Sequence, residues 1–114
     1  MADSDGRFSQ FRKGAVELAI LALLHGGEAY GGEIVERLAA HPGLAISAGT
    51  VYPLLSRLKR AGLIDSAWRE SPVGPPRKYY RLTSTGGTEF SDMAAAWKGV
   101  TGAMDALLGK EASR

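Results

Sequence analysis

The chain has 114 residues, enough for one small domain but short for one that encloses a large enzyme pocket. It contains no cysteine, which excludes disulfides and thiolate chemistry. Net charge is only +2 but unevenly spread: residues 47–81 carry seven basic side chains (Arg57, Lys59, Arg60, Arg69, Arg77, Lys78, Arg81) against Asp65 and Glu70, so +5 there leaves −3 elsewhere. A basic block in a nearly neutral chain suits a polyanionic partner on one face, although a solvated surface has the same composition. Asp3 and Asp5 stand where a signal peptide would be basic, and the apolar run "AVELAILALL" is interrupted by Glu17 and too short to span a bilayer. A cytoplasmic protein with no membrane partner is expected.

Residues 1–11 read as an arm, with Phe8 and Phe11 able to anchor it on an apolar surface. Val16, Ala19, Ile20, Leu23 and Leu24 then form a wide stripe, extended by Leu18 and Leu21, which predicts a mostly buried helix from about Arg12 to His25. Gly26-Gly27 ends it. "EAYGGEIVERLAAHPG" predicts a second helix with Tyr30, Ile34, Val35 and Leu38 inward, its first turn weakened by Gly31 and Gly32 at roughly 1 kcal/mol each.

"SAGTVYPLLSRLKRAGLI", from Ser47 to Ile64, predicts a third helix. The Ser47 hydroxyl is placed to cap it, and Val51, Leu54, Leu55 and Leu58 follow the i, i+3, i+4, i+7 spacing of a core-facing stripe. Pro53 lacks an amide hydrogen and is expected to loosen or kink the early turns. Gly49, Thr50, Tyr52, Ser56, Arg57, Lys59 and Arg60 are left for the other faces. Beyond Gly62, "LIDSAWRE" and "RKYYRLT" read as strands joined by "SPVGPP", a β-hairpin with Arg69 and Arg77-Lys78 near its tip. Thr83 or Ser84 caps a last helix running to about Leu108. Along it Phe90, Met93, Trp97, Val100, Met104 and Leu107 alternate steps of three and four, a heptad stripe suited to a second copy of the helix.

This order predicts a mainly α fold with a small β-hairpin: a winged helix-turn-helix over residues 1–83 and a dimerisation helix over 84–114. A recognition helix packs one face on the core and presents the other to base edges in the major groove of duplex DNA. Base readout falls to Thr50, Tyr52, Ser56 and Arg57, and phosphate contact to Ser47, Lys59, Arg60, Arg77 and Lys78. Small residues at Ser47, Gly49 and Thr50 let the helix approach the backbone closely. A two-fold dimer then implies a palindromic operator.

"SAGTVYPLLSRLKRAGLI" and "GPPRKYYRLTSTG" resemble the PadR family of bacterial transcriptional regulators, and "ELAILALLHGGEAYGGEI" resembles that family's first two helices. The resemblance covers about residues 12–90, and the single last helix resembles the compact subfamily. It implies a homodimeric repressor with a winged helix-turn-helix, often responsive to a small molecule. Gly32 stands where an aromatic is usual and Val51 where leucine is usual. A tryptophan on this helix lines a cavity at the dimer interface in compact members, a role that falls on Trp97. Met93 and Met104 beside it add a deformable, polarizable wall for a small aromatic effector; a packed interface without a cavity is the alternative.

No cofactor, metal site or catalytic set is expected. His25 and His41 lack companion ligands at metal spacing and read as helix-end residues. "PVGPPR" contains a P-x-x-P but lies between two strands, so it reads as the wing loop. The competing class is a winged-helix protein–protein module that binds no DNA, and the clustered cations argue against it.

Overall fold

The computed structural model describes residues 7–109. In chain order it has α1 (Arg7–His25), β1 (Ala29–Tyr30), α2 (Gly31–Ala39), a 3-10 turn (Pro42–Leu44), α3 (Ala48–Arg60), β2 (Ile64–Arg69), β3 (Arg77–Leu82) and α4 (Ser84–Leu108). The fold is mainly helical with a small antiparallel sheet and a long C-terminal helix, as expected.

Two boundaries differ from the expectation. α1 begins at Arg7, so residues 7–11 are helical rather than an arm. No glycine or proline separates Arg7 from Lys13, and extending an existing helix costs far less than nucleating one. The anchoring role given to Phe8 and Phe11 lies outside the described side chains. The second helix starts at Gly31, not at Glu28, because Ala29 and Tyr30 form a strand instead. Ala29 pairs with Tyr80 and Tyr30 with Tyr79, so the wing is a three-stranded sheet in the order β1-β3-β2.

The core is where the three helical stripes meet the inner end of this sheet. Val16, Ile20, Leu21 and Leu24 of α1, Ile34 and Leu38 of α2, and Val51, Leu55 and Leu58 of α3 are buried around Ala29, Ile64 and Tyr80. Burying such side chains contributes roughly 1.5–3 kcal/mol each, so the stripes dictate the packing. α3 runs uninterrupted through Pro53. It ends in a Schellman motif: Leu63 N donates to Leu58 O at 3.0 Å, Gly62 N to Lys59 O at 3.0 Å, and Gly62 has φ 79°.

That turn also seats α4. The Thr83 hydroxyl accepts from Gly86 N at 2.9 Å as the helix cap and donates to Gly62 O at 2.7 Å. Thr83 N donates to Leu63 O at 3.0 Å. A Cβ on Gly86 would sit 1.9 Å from Leu63 O, so only glycine permits this approach. The first half of α4 packs on α1, with Phe90 stacked on His25 at 4.7 Å. Further along, Val100, Leu107 and Leu108 are exposed. The radius of gyration is 16.0 Å, against about 13 Å for a compact chain of this length.

Candidate nucleic-acid interface

Once Val51, Leu55 and Leu58 are fixed inward, helical geometry decides what α3 shows to solvent. The exposed arc runs from Tyr52 and Lys59 on the wing side, through Gly49, Ser56 and Arg60, to Thr50 and Arg57 on the α1 side. All of these residues are exposed. Ser47 occupies the cap position, but its hydroxyl makes no capping bond, a departure from the role expected of it. Its carbonyl instead accepts from Thr50 N and Val51 N at 3.0 and 3.1 Å.

The two flanks of the arc are tied back. Arg57 forms an ion pair with Glu17 of α1. Lys59 Nζ donates to the Ser66 hydroxyl of β2 at 2.8 Å. Gly49, Ser56 and Arg60 remain at the centre, where the backbone stands closest to an approaching surface. Seven of the nine residues assigned to DNA thus lie on one helix or at its cap. Arg77 and Lys78 join them from β3.

The wing cations are held on aromatic rings. The Arg77 guanidinium lies 4.3 Å from the Tyr30 ring centroid, Lys78 Nζ lies 5.6 Å from that of Trp68, and Arg69 lies 4.9 Å from that of Tyr79. Such contacts contribute about 0.5–1 kcal/mol at exposed sites. Arg69 is also ion-paired with Glu28, whereas Arg77 and Lys78 have no acidic partner among the described residues. A cleft of about 380 Å³ opens between this part of the wing, Tyr52 of α3 and Gly31-Gly32 of α2. Tyr80 lines it from beneath. Burial, and then the neighbouring Tyr52 phenol, push the Tyr80 hydroxyl above its ordinary pKa.

The heptad stripe of α4 divides in two. Phe90 and Met93 are half-buried against the core of their own domain, whereas Trp97, Val100, Met104 and Leu107 are 45–80% exposed. Leu108 is exposed beside them. Trp97 also borders an apolar groove of about 200 Å³ with Ala15, Leu18, Ala19 and Ala22 of α1 and Leu44. His25 and His41 sit at helix ends, as expected. Among the described residues no helix is long and apolar enough to cross a membrane.

Tyr30, Trp68 and Glu17 were not singled out for this candidate surface from sequence. Tyr30 read as a core residue of a helix, and Trp68 as sharing the inner strand face with Ile64. Both readings follow local periodicity. Ile64 and Trp68 do share a face, but Trp68 lies beyond the core edge and is 68% exposed. The cation-rich segment opposite it was the only available signal.

Residues 20–92 match the transcriptional regulator PadR-like family. The chain is 34% identical to the solved PadR-like transcriptional regulator of Bacillus cereus, with a TM-score of 0.80 over 87% of this chain and 96% of that one. It is 41% identical to a PadR-like transcription factor from Bacteroides fragilis, with a TM-score of 0.73 over 87% and 95% of the two chains. It is also 38% identical to transcriptional regulator Rv3488 of Mycobacterium tuberculosis, over 68% of this chain and 70% of the relative. With the winged fold, the exposed arc of α3 and the long fourth helix in place, the chain belongs to the PadR-like family of transcriptional regulators.

Proposed function

We propose that this regulator is a homodimeric repressor that binds a palindromic operator and is released by a small aromatic or hydrophobic effector. Residues 1–83 serve as the DNA-binding unit and residues 84–114 as the dimerisation helix. The observation that carries this reading is the split of the α4 stripe. Trp97, Val100, Met104 and Leu107 continue the line of Phe90 and Met93 but remain 45–80% exposed. An exposed apolar strip along a helix is suited to the same strip of a second copy, an isologous two-fold contact.

In such a dimer, the arc of α3 enters the major groove. Thr50, Tyr52, Ser56 and Arg57 read bases, while Ser47, Lys59, Arg60, Arg77 and Lys78 fix the register on phosphates. An effector near Trp97 gains apolar contact with Met93, Val100 and Met104 and changes the angle between the two winged domains, and hence the half-site spacing they span. The direct test is a mobility shift on the DNA just upstream of the protein's own gene, repeated with planar aromatic compounds. A saturable shift to a dimer-sized complex, reversed by one of the compounds, is expected. Absence of sequence-specific binding there and in a random duplex pool overturns the reading.

A further inference from the structure

The cleft beside α3 is walled by rings rather than by aliphatic side chains. In the β2–β3 register Ile64 lies opposite Leu82, Ser66 opposite Tyr80 and Trp68 opposite Lys78, so all six share the face of the sheet that carries the core. Trp68 and Lys78 are the outermost of these pairs and line the cleft with Tyr80. Tyr52 closes it from the α3 side. A Cβ on Gly31 would collide with the Tyr52 ring, so glycine lets that ring lie against the first turn of α2. Arg77 and Tyr30 belong to the opposite face of the sheet and meet the cleft around the open edge of β3, where β1 stops.

Three features of this lining select a guest. First, Trp68 and Tyr52 are both exposed, so ring surface is open for a flat molecule to stack on. Second, Lys78 Nζ lies 5.6 Å from the Trp68 ring centroid and has no acidic partner among the described residues, and no carboxylate among them lines the cleft. Arg57 and Arg69, by contrast, are ion-paired. Third, a cavity of about 380 Å³ is at the small end of ligand sites, with room for one or two fused rings and a charged group. An apolar ring alone would desolvate Lys78 without a counter-charge. A bare inorganic anion would leave the Trp68 and Tyr52 rings uncovered.

We propose that this cleft binds a planar aromatic anion, its ring laid against Trp68 and Tyr52 and its charge on Lys78, and that this guest and DNA exclude each other. Two sources share that chemistry: an aromatic carboxylate and a nucleobase that carries a phosphate. The site is separate from the apolar groove beside Trp97, whose lining holds no cation. Binding in the cleft stands on the cleft's own lining. The exclusion rests on the DNA-binding reading, in which Tyr52 and Lys78 contact the duplex. A guest there takes both side chains away from DNA by occupying them, not by changing the angle between two winged domains.

The test uses the full-length protein. With Trp97→Phe, Trp68 is the only tryptophan left of two. Naphthoate and adenosine monophosphate are titrated beside their neutral counterparts, naphthamide and adenosine. At least one anion should quench Trp68 with saturation, and should move the Gly31 and Gly32 amide signals in NMR spectra of the unaltered chain. The neutral counterpart should bind about tenfold more weakly, as expected for loss of a charge-assisted contact, and Lys78→Gln should erase that difference. Tyr52→Leu should weaken both forms alike. Binding of naphthoate alone assigns the cleft to carboxylates, of the nucleotide alone to nucleotides, and of both to the shared chemistry. Operator affinity should fall in proportion to the anion's concentration without a plateau, because competition has no ceiling whereas coupling between two sites levels off. No saturable quenching and no movement of either glycine signal with either anion overturns the site. Binding that inorganic phosphate matches overturns it too, since the rings then add nothing. A plateau in operator affinity, or no change in it, keeps the site and overturns the exclusion. Should no duplex bind, the DNA reading fails, and the quenching still decides the cleft.

Discussion

Arg57 and Lys59 sit two positions apart on α3, yet one reaches back to α1 and the other across to β2. Ion pairs at the surface contribute little to folding, about 0–1 kcal/mol, and with Arg57 exposed and Glu17 half-buried, Glu17 matters mainly for where Arg57 points. Glu17→Gln should leave urea unfolding nearly unchanged and tighten operator binding several-fold, read by fluorescence anisotropy, because the guanidinium no longer exchanges one carboxylate for DNA. Unchanged or weaker binding would mean that Glu17 orients Arg57 productively. Arg57→Ala should cost roughly 1–3 kcal/mol and relax specificity at one base pair, as a bidentate base contact does. Lys78→Ala should instead weaken all sequences alike and lower the salt slope by about one. The same loss on every duplex in both variants would argue that Arg57 contacts phosphate only.

At the scale of elements, the junction of α3, β2 and α4 is the most tightly determined part of the chain. The Schellman turn at Gly62, the Thr83 cap and the close approach of Gly86 to Leu63 all meet within it. Gly86→Ala should therefore destabilise the fold by at least the roughly 1–3 kcal/mol typical of overpacking, since the clash is with backbone that has no rotamer to adopt. Thr83→Ala removes a cap and should cost about 0.5–2 kcal/mol. Denaturant midpoints report both. A neutral Gly86→Ala would mean that α4 docks more loosely than this contact requires. β1 shows the opposite balance, since its two residues add only a short ladder but set where α2 begins and hence where the cleft opens.

For the whole molecule, the exposed apolar strip of α4 is the feature with consequences. Sedimentation of the full-length chain at micromolar concentration should show a dimer, and cutting after Thr85 should give a monomeric or unstable species. A well-folded monomer of the full chain would count against the proposed assembly. In a Trp68→Phe background, planar aromatic compounds should quench Trp97 emission with saturation and weaken operator binding. Offset stacking on an aromatic ring contributes about 0.5–1.5 kcal/mol beyond area burial, enough to bias a joint between two domains. If no compound does either and Trp97→Ala unfolds the dimer, the tryptophan is a packing residue.

The sequence by itself determined that four helices and a hairpin form, and the Thr83 cap but not the Ser47 cap. The Val51–Leu58 stripe, the Gly26-Gly27 and Gly62 stops, the Thr83 cap and the loop around Pro75-Pro76 act through neighbours a few residues away, and local periodicity records them. The basic arc of α3 was legible for the same reason, since fixing one face of a helix fixes the other. Only the tertiary structure decided that Ala29 and Tyr30 form a strand, because two residues have no period and their partner, β3, lies far along the chain. The same holds for Arg57 with Glu17 and Arg69 with Glu28, pairs that depend on how helices and strands dock. It holds most for the cleft, where Tyr30, Tyr52, Trp68 and Arg77 come from four separate elements or their ends. Tyr30 and Trp68 looked locally like core residues, Tyr52 and Arg77 were read as separate DNA contacts, and packing alone brought the four to one place.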